Sequence, residues 1–201
     1  MTTALLLSGG MDSIALAWWK RPDRLYTVDY GQLAAPAEIM ASRAVAKELG
    51  IPHEILHFEG REYGSGDMAG ARPDGHAPAS DWWPYRNQML ITLVAMKAVA
   101  IKVDTLWLGT VASDNSHRDG TTEFIKRMSG LLEFQEGAMT VEAPAIELST
   151  VELIRTSGIQ RGTLAWAHSC HKADIPCCAC RGCNKHLEVL QELDADVDLA
   201  R

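Results

Sequence analysis

The start of the chain constrains the fold more than any other part of it. Thr3 to Leu7 is a short apolar run, Ser8-Gly9-Gly10-Met11-Asp12-Ser13 follows at once, and Met11 to Lys20 then carries apolar residues at helical spacing. The spacing predicts strand, tight loop and helix in direct succession. A loop in that position gathers backbone N–H groups and the positive end of a helix dipole at one point, where a phosphate binds without a basic side chain. Gly9 and Gly10 let the backbone approach closely and adopt positive φ, Ser8 and Ser13 offer hydroxyl donors, and Asp12 is a candidate ligand for Mg²⁺. The plainer reading is a Gly-Gly turn that opens a helix with an Asp and Ser cap. It loses ground because the loop sits directly after the first strand, with Asp and Ser completing it.

The alternation continues. Arg24 to Val28 reads as a second strand, Ala37 to Leu49 as a helix stopped by Gly50, and Ile51 to Phe58 as a third strand. Arg86 to Lys102 reads as a helix apolar nearly all round and hence buried, and Thr105 to Leu108 as a fourth strand closing on Gly109-Thr110. Glu123 to Glu136 and the capped Ser149 to Ser157 are helical, Met139 to Ala143 reads as an edge strand, and Asn184 to Leu193 as a terminal helix. Strands alternating with helices imply the α/β class, a parallel sheet with helices on both faces. Glu59 to Asp81, crowded with Gly, Pro, Asp and Ser, is too long for an ordinary connection and predicts a mobile lid or binding loop.

Bulk properties narrow the function. A net charge of -7 argues against a general nucleic-acid binder, because phosphate backbones are held by clustered Lys and Arg. No apolar run reaches about 18 residues, and the first ten residues lack a basic n-region, so a cytoplasmic enzyme without a membrane span is expected.

All five cysteines fall between Cys170 and Cys183, too tightly spaced for a disulfide scaffold. Cys177-x2-Cys180-x2-Cys183, with Cys170 upstream, offers four thiolates for one tetrahedral Zn²⁺. Cys178 could stand in for Cys177; spacing favours Cys177. His168 and His171 flank the knot as surface or neighbouring residues. Four sulfurs leave the metal no open position, so the site is expected to be structural and to tie the C-terminal tail near the active site. The expected organisation is a domain of residues 1–160 followed by a zinc segment of residues 161–201.

The phosphate loop resembles the S-G-G-x-D-S signature of the PP-loop ATP pyrophosphatase superfamily, whose members activate an oxygen of a carbonyl or carboxylate as an adenylate and release pyrophosphate. Together with the four-cysteine site it looks like a divergent member of the 7-cyano-7-deazaguanine synthase (QueC) family. Asp29-Tyr30-Gly31-Gln32 matches that family's D-Y-G-Q, Pro84-Tyr85-Arg86-Asn87 its P-x-R-N, and Ser169-Cys170 the S-C that opens its zinc segment. The resemblance implies that ATP, with Mg²⁺, adenylates 7-carboxy-7-deazaguanine, that ammonia attacks, and that amide and then nitrile form on a zinc-containing homodimer. It implies that Ser8, Asp12, Ser13 and Arg86 act in catalysis and that Asp29 and Gly31 line the nucleotide pocket. Gly109 and Thr110 lie where ligands bind in open α/β sheets. Arg86 and Asn87 would face the substrate, and Asp114, Ser116 and Asp119 resemble parts of the deazaguanine-binding loop. Arg86 could instead pair with Asp81 or Glu38, and the loop could be a solvated turn.

Three positions depart from the family. Its D-C-R is Asp119-Gly120-Thr121 here, its Arg-His after Gln32 is Leu33-Ala34, and its lysine in P-x-x-x-x-x-K-x-E is Thr150 within Pro144 to Glu152. A lysine there would stabilise charge on departing pyrophosphate, so its role is expected to weaken or to pass to Arg118, Lys126 or Arg155. Three readings follow. The first is nitrile formation. The second is a paralogue that passes the adenylated acyl group to a different amine, on a protein partner for example. The third is a weakened nucleotide-binding subunit, disfavoured by the intact loop and Arg86.

Overall fold

The computed structural model describes residues 1–199, and side chains at 115, 116 and 196–199 lie outside the described residues. The elements run β1 (Thr3–Leu6), α1 (Met11–Lys20), β2 (Arg24–Asp29), α2 (Ala35–Leu49), β3 (His53–His57), α3 (Gly66–Ala69), α4 (Arg86–Ala98) and β4 (Thr105–Trp107). Then come α5 (Thr122–Glu133), β5 (Thr140–Glu142), α6 (Thr150–Ser157), α7 (Arg161–Leu164) and α8 (Arg181–Leu199).

The five strands form one parallel sheet in the order β3-β2-β1-β4-β5. The chain winds outward from β1 to β3, then crosses back to place β4 on the other side of β1. The loops after β1 and β4 therefore leave in opposite directions and open a crevice at their carboxyl ends.

Strand alternation sends side chains to two helical layers. Ala4, Leu6, Tyr26, Val28, Leu106 and Val141 face one layer, where Ile91 and Val94 of α4 and Ile125 and Met128 of α5 cover them. Leu5, Leu7 and Leu25 face the other, against Ile14, Leu16 and Ala17 of α1 and Val45 of α2. A third cluster joins Met11 and Ala15 of α1 to Val151, Leu153 and Ile154 of α6 and to Val189 of α8. Both faces of β1 are thus covered, which is why its sequence is apolar throughout rather than alternating.

Two expectations change in detail. Helix α4 was expected to be buried all round; it buries Ile91, Val94 and Ala98, whereas Met96 is 70% exposed, because the sheet offers partners to one face only. Residues 59–81 are not bare loop. A 3-10 turn and α3 interrupt them, and Met68 and Ala69, with Trp83 just beyond, enter the core; the Trp83 ring meets Tyr30 edge-on at 4.9 Å.

Candidate active site

The phosphate loop is fixed by its own residues. Ser13 Oγ donates to the Gly10 carbonyl at 3.0 Å and accepts from the Ser8 N–H at 3.2 Å, and the two serine hydroxyls share a hydrogen bond of 3.1 Å. Gly9 has φ +78°, and a Cβ there would sit 2.6 Å from the Glu38 carbonyl oxygen, so only glycine lets α2 approach this closely. Gly10 is the N-cap of α1 and supplies no side-chain cap, which leaves the first-turn N–H groups available at the positive end of the helix. Gly109 is packed as tightly: a Cβ would lie 2.8 Å from Ser13 Cα, so the end of β4 meshes with the start of α1.

Beyond the loop lies a cavity of about 650 Å³ at the β1–β4 crevice. Ser8, Gly10, Asp12, Ser13, Gly109 and Thr110 line one side of it, and Arg86, Asn87, Asp114 and Asp119 line another. Asn87 and Asp119 are tied directly: the Asn87 amide donates to the Asp119 carbonyl at 2.9 Å, and the Asn87 N–H to its carboxylate at 3.3 Å. Arg86 donates to Met68 Sδ at 2.9 Å and weakly to Asn87 Oδ1 at 3.4 Å. Among the described residues no carboxylate lies within ion-pair distance of its guanidinium, so Arg86 is paired with neither Asp81 nor Glu38. Burial and the neighbouring Asp29 push the Glu38 carboxyl up to about 7, against the Gln32 amide that donates to it at 2.7 Å and the nearby Arg86 cation.

Asp81, which sequence reasoning mentioned only as an alternative partner for Arg86, is the hub of a second polar group. It lies 3.4 Å from His117 Nε2, 3.3 Å from Arg181 and 3.6 Å from His171 Nδ1. Burial favours its neutral form, but His171, Arg181 and His117 outweigh it and hold the carboxyl below the ordinary value.

The C-terminal segment forms the remaining wall. The His168 N–H donates to the Gly9 carbonyl at 2.9 Å, which ties this segment to the phosphate loop by its backbone. Lys185 on α8 reaches Asp12 Oδ2 at 3.0 Å and Asp114 Oδ1 at 3.3 Å. Burial raises the Asp12 carboxyl, while Lys185 and the adjacent Thr150 hydroxyl favour its charged form. Even so, Asp12 Oδ1 and Thr150 Oγ1 are buried without a hydrogen-bond partner of acceptable geometry among the described residues. A buried carboxylate oxygen without a hydrogen bond beside a phosphate-type loop fits a bound cation.

The sulfurs of Cys170, Cys177, Cys180 and Cys183 all lie within 4.8 Å of one another. Cys177 and Cys183 are 3.9 Å apart, against ~3.8 Å for two thiolates on a tetrahedral zinc with bonds of ~2.3 Å. The N–H groups of Ala179 and Cys180 pull the Cys177 thiol down to about 6, favouring the thiolate a metal requires. Cys178 takes positive φ (55°) and turns its exposed sulfur toward the Pro176 carbonyl, away from the other four. The four cysteines are positioned to hold a metal ion.

The cavity therefore gathers Ser8, Gly10, Met11, Asp12 and Ser13 with Arg86, Asn87, Gly109, Thr110, Asp114 and Asp119. Asp29 and Gly31 stand beside it rather than in its lining: Asp29 accepts from the Gly31 N–H and faces His57 Nδ1 at 3.3 Å. The side chain of Ser116 lies outside the described residues. None of Arg118, Lys126 and Arg155, the expected substitutes for a lysine at position 150, lines the cavity; Lys185 does. Its one sequence signal was proximity to Cys183 in a segment expected to fold back toward the active site.

A family model described as "Queuosine biosynthesis protein QueC" matches residues 2–194. A 7-cyano-7-deazaguanine synthase of Acidobacterium capsulatum is 29% identical over 213 aligned positions, covering 94% of this chain and 91% of that protein. One from Methanosarcina barkeri is 26% identical over 209, covering 91% and 90%. An NMN synthetase structure from Francisella tularensis overlays with a TM-score of 0.47 at 15% identity, covering 86% of this chain and 70% of that one, too slight a likeness to support an argument. With the family match running almost end to end over a chain whose phosphate loop and cysteine cluster are both formed, the protein belongs to the QueC family.

Proposed function

We propose that this chain uses ATP to adenylate the carboxylate of a 7-deazaguanine-type substrate, 7-carboxy-7-deazaguanine, and converts it through the amide to the nitrile. The observation that carries this reading is the uncapped start of α1 facing the Arg86 guanidinium across one cavity. The relatives' name, 7-cyano-7-deazaguanine synthase, supplies the substrate class.

In this reading the Ser8–Ser13 loop holds the phosphates, with Gly109 and Thr110 beneath it and Asp29 and Gly31 at the nucleotide's far side. Asp12 would hold Mg²⁺, which supplies charge neutralisation on the phosphates. Arg86 grips the substrate carboxylate as a permanent cation, and Asn87, Asp114, Ser116 and Asp119 flank the ring. The loop and Arg86 align a carboxylate oxygen with the α-phosphorus; as that bond forms, the bond to the β-phosphate oxygen breaks and its electron pair leaves on pyrophosphate. Ammonia then displaces AMP from the acyl carbon and loses a proton to give the amide; a second ATP adenylates the amide oxygen, with pyrophosphate leaving, and departure of AMP with loss of the two N–H protons gives the nitrile. The four cysteines hold structural Zn²⁺, residues 1–160 carry the nucleotide side and residues 161–201 close it, and the chain works as a homodimer.

One observation favours a second reading, in which the acyl group passes to a different amine, on a protein partner for example. Gly120 is wedged so that a Cβ would lie 2.8 Å from the Asp114 carbonyl oxygen, so the loop around Asp119 is shaped for no side chain at that position. Purified protein given ATP, Mg²⁺, ammonia and 7-carboxy-7-deazaguanine, with products followed by mass spectrometry, separates the two. Nitrile supports the first, and an adenylate or conjugate without nitrile the second. Retained ATP binding with no pyrophosphate from any carboxylate overturns both.

A further inference from the structure

Lys185 is the one lysine that lines the cavity among the described residues, and it arrives on the helix that also carries Cys183. Its ammonium is held between Asp12 Oδ2 and Asp114 Oδ1, at 3.0 and 3.3 Å, with 36% of the side chain still exposed to the cavity. The position is not that of a surface ion pair. Asp12 is the second residue of α1, within the phosphate loop, and its other carboxylate oxygen is buried with only the neighbouring Thr150 hydroxyl beside it, not in hydrogen-bond geometry. Thr150 itself is only 3% exposed. A cavity wall with one ammonium and the positive end of a helix attracts an anion with several oxygens, while the buried carboxylate oxygen of Asp12 suits the cation that accompanies it.

The backbone fixes how Lys185 gets there. Arg181 to Cys183 start α8, and Gly182 lies so close to the preceding segment that a Cβ would overlap the Ser169 carbonyl oxygen at 1.9 Å. Cys170, one residue beyond Ser169, belongs to the sulfur cluster. The cluster therefore clamps the first turn of α8 to the 168–171 strand of chain, and the His168 N–H pins that strand to Gly9. Lys185 follows Cys183 by half a turn, so the direction of its side chain depends on the clamp.

We propose that Lys185 is the cation that receives the departing pyrophosphate, and that the metal-bound cysteine cluster, by aiming it, makes the metal site and the nucleotide site one working unit. This rests on the adenylation reading above. When the α-phosphorus is attacked, the electron pair of the broken phosphoanhydride bond moves onto pyrophosphate; Lys185 stays protonated throughout and exchanges its contact with Asp12 for the new negative charge. No proton transfer is required of it.

The test compares wild type with Lys185→Met, Lys185→Gln and Lys185→Arg, using inorganic pyrophosphate and Mg·ATP binding by calorimetry and pyrophosphate release with 7-carboxy-7-deazaguanine. Removal of the charge is expected to slow pyrophosphate release about 100-fold and to weaken pyrophosphate binding about 10-fold, with Arg restoring most of both. Metal content should stay at the wild-type value, whereas a lysine serving only to tie α8 down would take the metal-binding segment with it. If Met disturbs the fold, Gln carries the comparison. Stripping the metal from wild type should bring pyrophosphate binding to the level of Lys185→Met and do nothing further to that variant. Wild-type binding and release in folded, metal-loaded Met and Gln variants would overturn the role of Lys185, and unchanged pyrophosphate binding after metal removal would overturn the coupling. Should wild type release no pyrophosphate yet bind it more tightly than the Met variant, the adenylation reading fails while Lys185 keeps its place as the phosphate contact.

Discussion

The two walls of the cavity are made in opposite ways. The phosphate side is six consecutive residues whose hydroxyls, glycines and helix start hold one another in place. The facing side is collected from Asp81, Arg86, Asp114, His171 and Lys185, which come from four stretches of chain separated by tens of residues. A locally built wall survives as long as its own sequence does. A collected wall depends on whatever pins its pieces, here the sulfur cluster and the packing of α8 on α6.

The largest test of that difference removes the pin. Cys180→Ser should lose the bound metal and destabilise residues 161–199 by more than about 4 kcal/mol, because metal binding in such segments is folding energy. Limited proteolysis and metal analysis would read it. The comparison breaks if the segment stays protease-resistant, and it sharpens if the phosphate loop still binds pyrophosphate weakly in the absence of metal.

Gly9→Ala attacks the local wall instead. The backbone would have to shift to relieve the contact with Glu38, and a displacement of about 1 Å costs about 100-fold in the rate of pyrophosphate release. Metal content should be unaffected; loss of metal in this variant would show that the walls are not independently built.

Glu38 sits between the two walls, and its carboxyl is raised from an ordinary 4.5 to about 7, chiefly by burial. The folded state therefore binds a proton that the unfolded chain has released, so the contribution of Glu38 to stability is fully present below pH 4.5 and is lost as pH rises through 7. Glu38→Gln should remove that slope, gaining about 2 kcal/mol relative to wild type between pH 5 and pH 8 in urea titrations. Equal slopes in the two proteins would mean that Glu38 is already ionised in the fold.

The smallest effect is expected at Ser149, whose hydroxyl accepts from the Glu152 N–H while the Glu152 carboxylate accepts from the Ser149 N–H. Ser149→Ala should cost about 1 kcal/mol in thermal or chemical unfolding. It should also loosen Thr150, the first residue of α6, with a small loss in pyrophosphate affinity that leaves metal content alone.

The contrast also explains what could be read from the sequence. The loop, the sheet class and the cysteine cluster were legible because each is encoded by neighbours: a strand running into Gly-Gly, strands alternating with helices, thiols three apart. Spacing favoured Cys177 over Cys178, and the sulfur cluster includes Cys177; the backbone adds the reason, a positive φ at Cys178 with its sulfur turned outward. Lys185 escaped because its one signal, proximity to Cys183 in a tail expected near the active site, does not say which side chain of α8 reaches Asp12. Arg118, Lys126 and Arg155 were closer in sequence to the suspected gap, and fold topology placed all three away from the cavity. The exposed Met96 shows the same limit, because a helix apolar on every side does not reveal how many sides will find a partner.

Gly109 has a mechanical consequence. With the end of β4 meshed against Ser13 and α2 pressed on Gly9, the phosphate loop is packed tightly between sheet and helix. A nucleotide would then enter a seat already in shape. The adjustments that admit substrate and release product must fall to the other side of the cavity, where the 59–85 stretch and the sulfur-clamped tail are joined to the sheet by side chains and a few backbone hydrogen bonds.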